Sequence, residues 1–130
     1  MIKIRWALLC NDVEKNHDDT SGNLLGVIEE FVSPTVPLPI EKLAVALGLQ
    51  YSGGVSSQIS VIWRFVDTGE IIFRSDQKDH HLRSQSGKPF AFIYAMFIHN
   101  IILPRFGEYY LEILINDRTA YLNSYKLREG

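Results

Sequence analysis

"EYYLEILIN", residues 108–116, decides the fold class. Tyr109, Leu111, Ile113 and Ile115 fall on one side of an extended chain, with Tyr110, Glu112 and Leu114 on the other. A period of two, written in aromatic and β-branched residues, marks a strand half-buried in a sheet. "IND" (115–117) then runs into "RTAYL". Asn and Asp tolerate the left-handed backbone that tight turns need, so a hairpin is expected there.

The same pattern recurs outward from this stretch. "QISVIWRFV" (58–66) puts Ile59, Val61, Trp63 and Phe65 on one face. In "IKIRWALLC" (2–10), Ile2, Ile4, Trp6, Leu8 and Cys10 alternate with Lys3, Arg5, Ala7 and Leu9. Turn signals separate the runs: "SGN" (21–23), "SGG" (52–54), "DTGE" (67–70), "SGKP" (86–89) and "FGE" (106–108). About eight strands are predicted, near 2–10, 23–32, 43–50, 58–66, 70–75, 90–99, 108–116 and 118–127.

"PIEKLAVALGL" (39–49) reads two ways. Pro39 with Ile40, Leu43 and Leu47 on one face suits a helix; Leu43, Val45, Leu47 and Leu49 in alternation suit a strand. The strand pattern is cleaner, and Gly48 would weaken a helix. Pro34, Pro37 and Pro39 point to an extended crossover along a sheet edge. The expected fold is all-β: an antiparallel two-sheet sandwich with immunoglobulin-like or related Greek-key topology.

The 130 residues are the length of one domain, expected to span 1–130. With 46% hydrophobic and 12% aromatic residues, there is material for a core that needs no metal or disulfide, and no cofactor is expected. A net charge of −2 argues against broad nucleic-acid binding, which needs a basic stripe. The lone cysteine excludes an internal disulfide. No apolar run reaches the ~20 residues of a transmembrane helix, and the N-terminus lacks a signal-peptide pattern; a cytoplasmic location is expected.

"ALLCNDV" (7–13), "GVIEEF" (26–31) and "RFGEYYLEILIND" (105–117) carry a resemblance. The chain resembles a family of short bacterial proteins known as a domain of unknown function, for which the resemblance implies a β-sandwich. Arg118 stands where that pattern has a turn glycine. No catalytic residue comes with the resemblance.

"SDQKDHHLRSQSG" (75–87) gathers the most visible chemistry and reads first as a polar connection between strands. Asp76, Asp79, His80 and His81 are all metal-ligand types, but adjacent histidines in an extended segment point to opposite sides. Arg74, Lys78, Arg83 and Lys88 make the same region locally positive and suit an anion. The acidic stretch 11–19, with Asp12, Glu14, Asp18 and Asp19, offers oxygen ligands of the kind calcium takes. Neither a Gly-x-Ser-x-Gly elbow nor a zincin spacing occurs, and Cys10 reads as a small buried hydrophobe.

A second apolar face is the stronger signal. "FAFIYAMFI" (90–98) is apolar on both sides, although one face of an antiparallel sheet normally meets water and reads polar. Ile62, Val66, Ile93, Phe97, Tyr110 and Leu114 all lie opposite the expected core positions. They form either an interface patch or a face covered within the chain. The function expected is a non-enzymatic binding or structural module of unknown ligand that self-associates, as a dimer, or joins another protein in an assembly. A metal- or phosphate-dependent activity using residues 76–88, or calcium-dependent surface binding using 11–19, are the alternatives.

Overall fold

Trp63 has no solvent exposure and lies between Phe31 and Tyr125, with ring centroids 6.3 and 5.8 Å away. Around it gather the inward residues of two sheets, among them Leu9, Leu47, Ile98, Tyr109, Leu111 and Leu127. The computed structural model describes residues 2–16, 21–51, 54–76, 78–83 and 90–130, with backbone alone at 54–56, 78–83 and 90. These form ten strands: β1 (Ile2–Lys15), β2 (Gly22–Ile28), β3 (Phe31–Ser33), β4 (Leu38–Tyr51), β5 (Gly54–Phe65), β6 (Ile71–Arg74), β7 (Lys78–Arg83), β8 (Phe90–Leu103), β9 (Gly107–Ile115) and β10 (Arg118–Glu129). No helix occurs among the described residues.

One sheet has the order β2-β1-β4-β8, and the other β3-β10-β9-β5-β6 with β7 also paired to β5. All pairs are antiparallel except β3 with β10. Two further features make the sandwich immunoglobulin-like. The buried Trp63 sits on β5, next to β9. At the start of β9, the Tyr109 hydroxyl turns back to the backbone of Arg105, forming a tyrosine corner. The β9–β10 hairpin turns through Asn116 and Asp117, both left-handed at φ 53° and 64°, so no glycine is needed at 118.

Segment 39–49 is a strand within β4, with Leu43, Val45, Leu47 and Leu49 facing the core. The Pro-bearing 34–37 stretch carries the chain from one sheet to the other. The strand expected at 23–32 is two strands in different sheets, because the chain crosses over at the exposed Glu29 and Glu30. The expected polar connection at 75–87 contains β7, a strand hydrogen-bonded to β5. The strand expected at 90–99 runs on to Leu103 and lies at the edge of its sheet.

The first strand departs from strict alternation. Ile4 pairs with Leu49 and Trp6 with Gly48, so Arg5 is an extra residue on β1. Such a bulge turns every later side chain to the other face. Ile2 and Ile4 pack on the main core and Ala7 and Leu9 continue it. Trp6, Leu8 and Cys10, expected beside Ile2 and Ile4, therefore lie on the outer face. There the Trp6 indole covers Gly48, where an added Cβ would collide with it.

Candidate functional site

Cys10, Ala44 and Ala46 are fully buried on this outer face, in a cluster apart from the core between the sheets. Their cover is the far half of the β1–β2 hairpin. Val13 and Leu24 pack against the three small residues, and the Lys15 ammonium reaches the Ile93 carbonyl on β8 at 3.4 Å. The Cys10 thiol donates to the Ala44 carbonyl at 3.7 Å. Burial pushes its pKa up, helped by the Asp12 charge and opposed by a hydrogen bond from the Asp12 backbone. It is a packed thiol whose pKa is raised rather than lowered, the opposite of an activated nucleophile.

The hairpin stops short of the whole face. Leu8, Leu25, Val27 and Phe97 keep 39, 40, 47 and 44% of their surface exposed. Phe97 stands on β8, where the Lys42 ammonium lies 4.8 Å from its ring centroid while also meeting Asp12 at 3.4 Å. The Asp12 carboxyl is held below its ordinary range, first by the Val13 N–H and then by Lys42, against some burial.

Beside Phe97 the sandwich is open. A cleft of about 490 Å³ runs between β8 and β6, lined on one side by Tyr94–His99 and on the other by Phe73, Arg74, Ser75 and Asp76. Ser75 is held there by β5, accepting from the Val61 N–H at 2.8 Å and donating its own N–H to the Val61 carbonyl at 2.9 Å. Burial pushes the Tyr94 phenol up. Met96 and Ile98 fill the inner side of β8. Among the described residues, no strand pairs with the outer edge of β8. Beyond the cleft β8 kinks: Asn100 is left-handed at φ 57°, and the inward positions step from Ile98 to Ile101.

The residues expected to form one interface are split between the two sheets. Ile93 and Phe97 lie on β8, and Ile62, Tyr110 and Leu114 on β5–β9 with Val66 just past the end of β5, at opposite outer faces of the sandwich. Ile62 is only 5% exposed. Around it the face is polar: the Arg64 guanidinium meets Glu112 at 3.2 Å and donates to the Gly69 carbonyl at 2.9 Å. The β5–β9 residues therefore do not join Phe97 in a common patch, which alternation alone could not disclose.

Of the metal candidates, Asp76 is exposed at the cleft, and the side chains of Asp79, His80 and His81 lie outside the described residues. Their backbone belongs to β7, with Gln58 opposite Asp79, Ser57 opposite His80 and Ser56 opposite His81. Arg74 ends β6 at the cleft; the side chains of Lys78 and Arg83, and the whole of Lys88, lie outside the described residues. The supposed acidic loop is strand as far as Lys15, its Asp12 oxygen already taken by Lys42; Asp18 and Asp19 lie outside the described residues. Among the described residues no three His, Cys, Asp or Glu side chains come together.

The strand order, buried tryptophan and tyrosine corner define an immunoglobulin-like module in which, among the described residues, β8 ends one sheet with no further strand paired to it. The chain belongs to a family of unknown function (DUF6941), whose pattern matches residues 5–128. No curated protein sequence matches it. A Pseudomonas fluorescens alkylpurine DNA glycosylase, AlkC, solved bound to DNA containing an abasic-site analogue, has a similar fold at TM-score 0.57 and 12% identity. The likeness covers 98% of this chain but 30% of the glycosylase, so this chain spans under a third of that protein's length. An immunoglobulin-like protein of Pseudomonas aeruginosa aligns over 98% of this chain and 97% of its own, at TM-score 0.37 and 13% identity.

Proposed function

We propose that this chain is a non-enzymatic structural module that acts by associating with a second copy of itself. The observation that carries the reading is β8: an edge strand of 14 residues without one Asp, Glu, Lys or Arg. Sheet edges are normally blunted by charge, by proline or by a covering element, because a bare row of backbone donors and acceptors recruits other strands. Between Phe90 and His99 this strand has neither charge nor proline. A second copy presents the same uncharged strand, so like meets like without an electrostatic penalty.

Sedimentation velocity and native mass spectrometry of the untagged chain test the reading, with a dimer expected at tens of micromolar. A monomer throughout that range, with or without added metal, would refute it.

A further inference from the structure

We infer that two copies join by antiparallel pairing of β8 with β8 about a two-fold axis at Ala95, making one continuous eight-stranded sheet. The inference rests on the self-association proposed above and supplies its geometry. The order would be β2-β1-β4-β8 followed by the same strands in reverse.

The register follows from where β8 is regular. Asn100, left-handed at φ 57°, ends the even pleat on one side, and the outward residues before it, opposite the buried Met96 and Ile98, are Ile93, Ala95 and Phe97. Ala95 is the midpoint between Ile93 and Phe97. Pairing about it sets Phe97 opposite Ile93 of the second copy on the outer face, twice by symmetry. An aromatic beside a β-branched residue is among the favourable cross-strand pairs. It also sets Met96 opposite Tyr94, and thioether sulfur packs well against aromatic rings. Small Ala95 sits at the axis, where the same residue must meet itself.

The surroundings suit an added strand. The cleft beside Tyr94–His99 leaves the flank of β8 open, and Phe97 is 44% exposed with the Lys42 ammonium over its ring. Lys15 is the competitor, because its ammonium meets the Ile93 carbonyl in the region to be paired. At 3.4 Å and exposed, that contact is a weak hydrogen bond that yields readily. The β1–β2 hairpin thus stands at the rim of the proposed joint.

Cysteine cross-linking of the full chain tests the pairing. Ala95→Cys should form an intermolecular disulfide in near-quantitative yield under mild oxidation, while Leu122→Cys, exposed on β10 of the other sheet, should not. Native Cys10 is fully buried and should stay unreacted. Phe97→Glu should give a folded monomer with an unchanged circular dichroism spectrum. A wild-type dimer in which Ala95→Cys stays uncross-linked, or cross-links no better than Leu122→Cys, would overturn the β8 pairing and leave self-association standing. A wild-type monomer would overturn both. If Phe97→Glu fails to fold, the cross-link still decides.

Discussion

The Tyr109 hydroxyl donates to the Arg105 carbonyl at 2.6 Å and accepts from the Arg105 N–H at 3.1 Å. One side chain thereby closes both backbone groups of a residue four positions earlier, at the point where β8 gives way to β9. Gly107, at φ 138°, is the first residue of β9, and the Phe65 ring lies against it.

Tyr109→Phe keeps the ring and removes both hydrogen bonds. At roughly 0.5–1.5 kcal/mol net for each, the variant should lose about 1–3 kcal/mol of unfolding free energy. Urea titration should show a lower midpoint with an unchanged slope. An unchanged midpoint would mean that the corner contributes nothing to stability.

Gly48→Ala should destabilise the protein by about 1–3 kcal/mol, the usual cost of inserting a methyl group into a filled space. The added Cβ meets the Trp6 indole, which must lift from the sheet. Trp63 is fully buried, so the fluorescence change should report Trp6 and move to the red. A spectrum that stays put would place the indole elsewhere.

Cys10 should resist iodoacetamide in the native protein and react at once in denaturant. Burial raises its folded pKa above the unfolded value. The neutral thiol's contribution is therefore fully present below the unfolded pKa, and is lost as pH rises from about 8.5 toward the higher folded value. Cys10→Ser should remove that alkaline loss and leave the rest of the pH profile. Rapid native alkylation would contradict the covered position.

Self-association should change little between about 0.05 and 1 M salt, because β8 brings no charged residue to the joint. Phe97→Glu should abolish it at all salt concentrations, since the carboxylate would be desolvated against Ile93. Dissociation of the wild type at high salt would point instead to the charged β5–β9 face.

Much of this was legible in the residues. Alternation in 58–66 and 108–116 identified Ile59, Val61, Trp63, Phe65, Tyr109, Leu111 and Ile113 as core, and each is at most 4% exposed. Asn116 and Asp117 announced their hairpin. The apolar second side of β8 announced a surface needing an explanation. Periodicity records which positions are buried, because each strand meets its core one residue in two.

Only the tertiary structure decided what covers what. Arg5 as a bulge, the division of 23–32 between two sheets, and the separation of Phe97 from Ile62 all depend on pairing between distant segments. A single added residue reverses a strand's faces without disturbing its composition. Trp6, Leu8 and Cys10 therefore look like core in the sequence and lie on the outer face in the fold. The uncharged character of β8 is written in its residues. Its place at an open edge is a property of strand order, which no local pattern encodes.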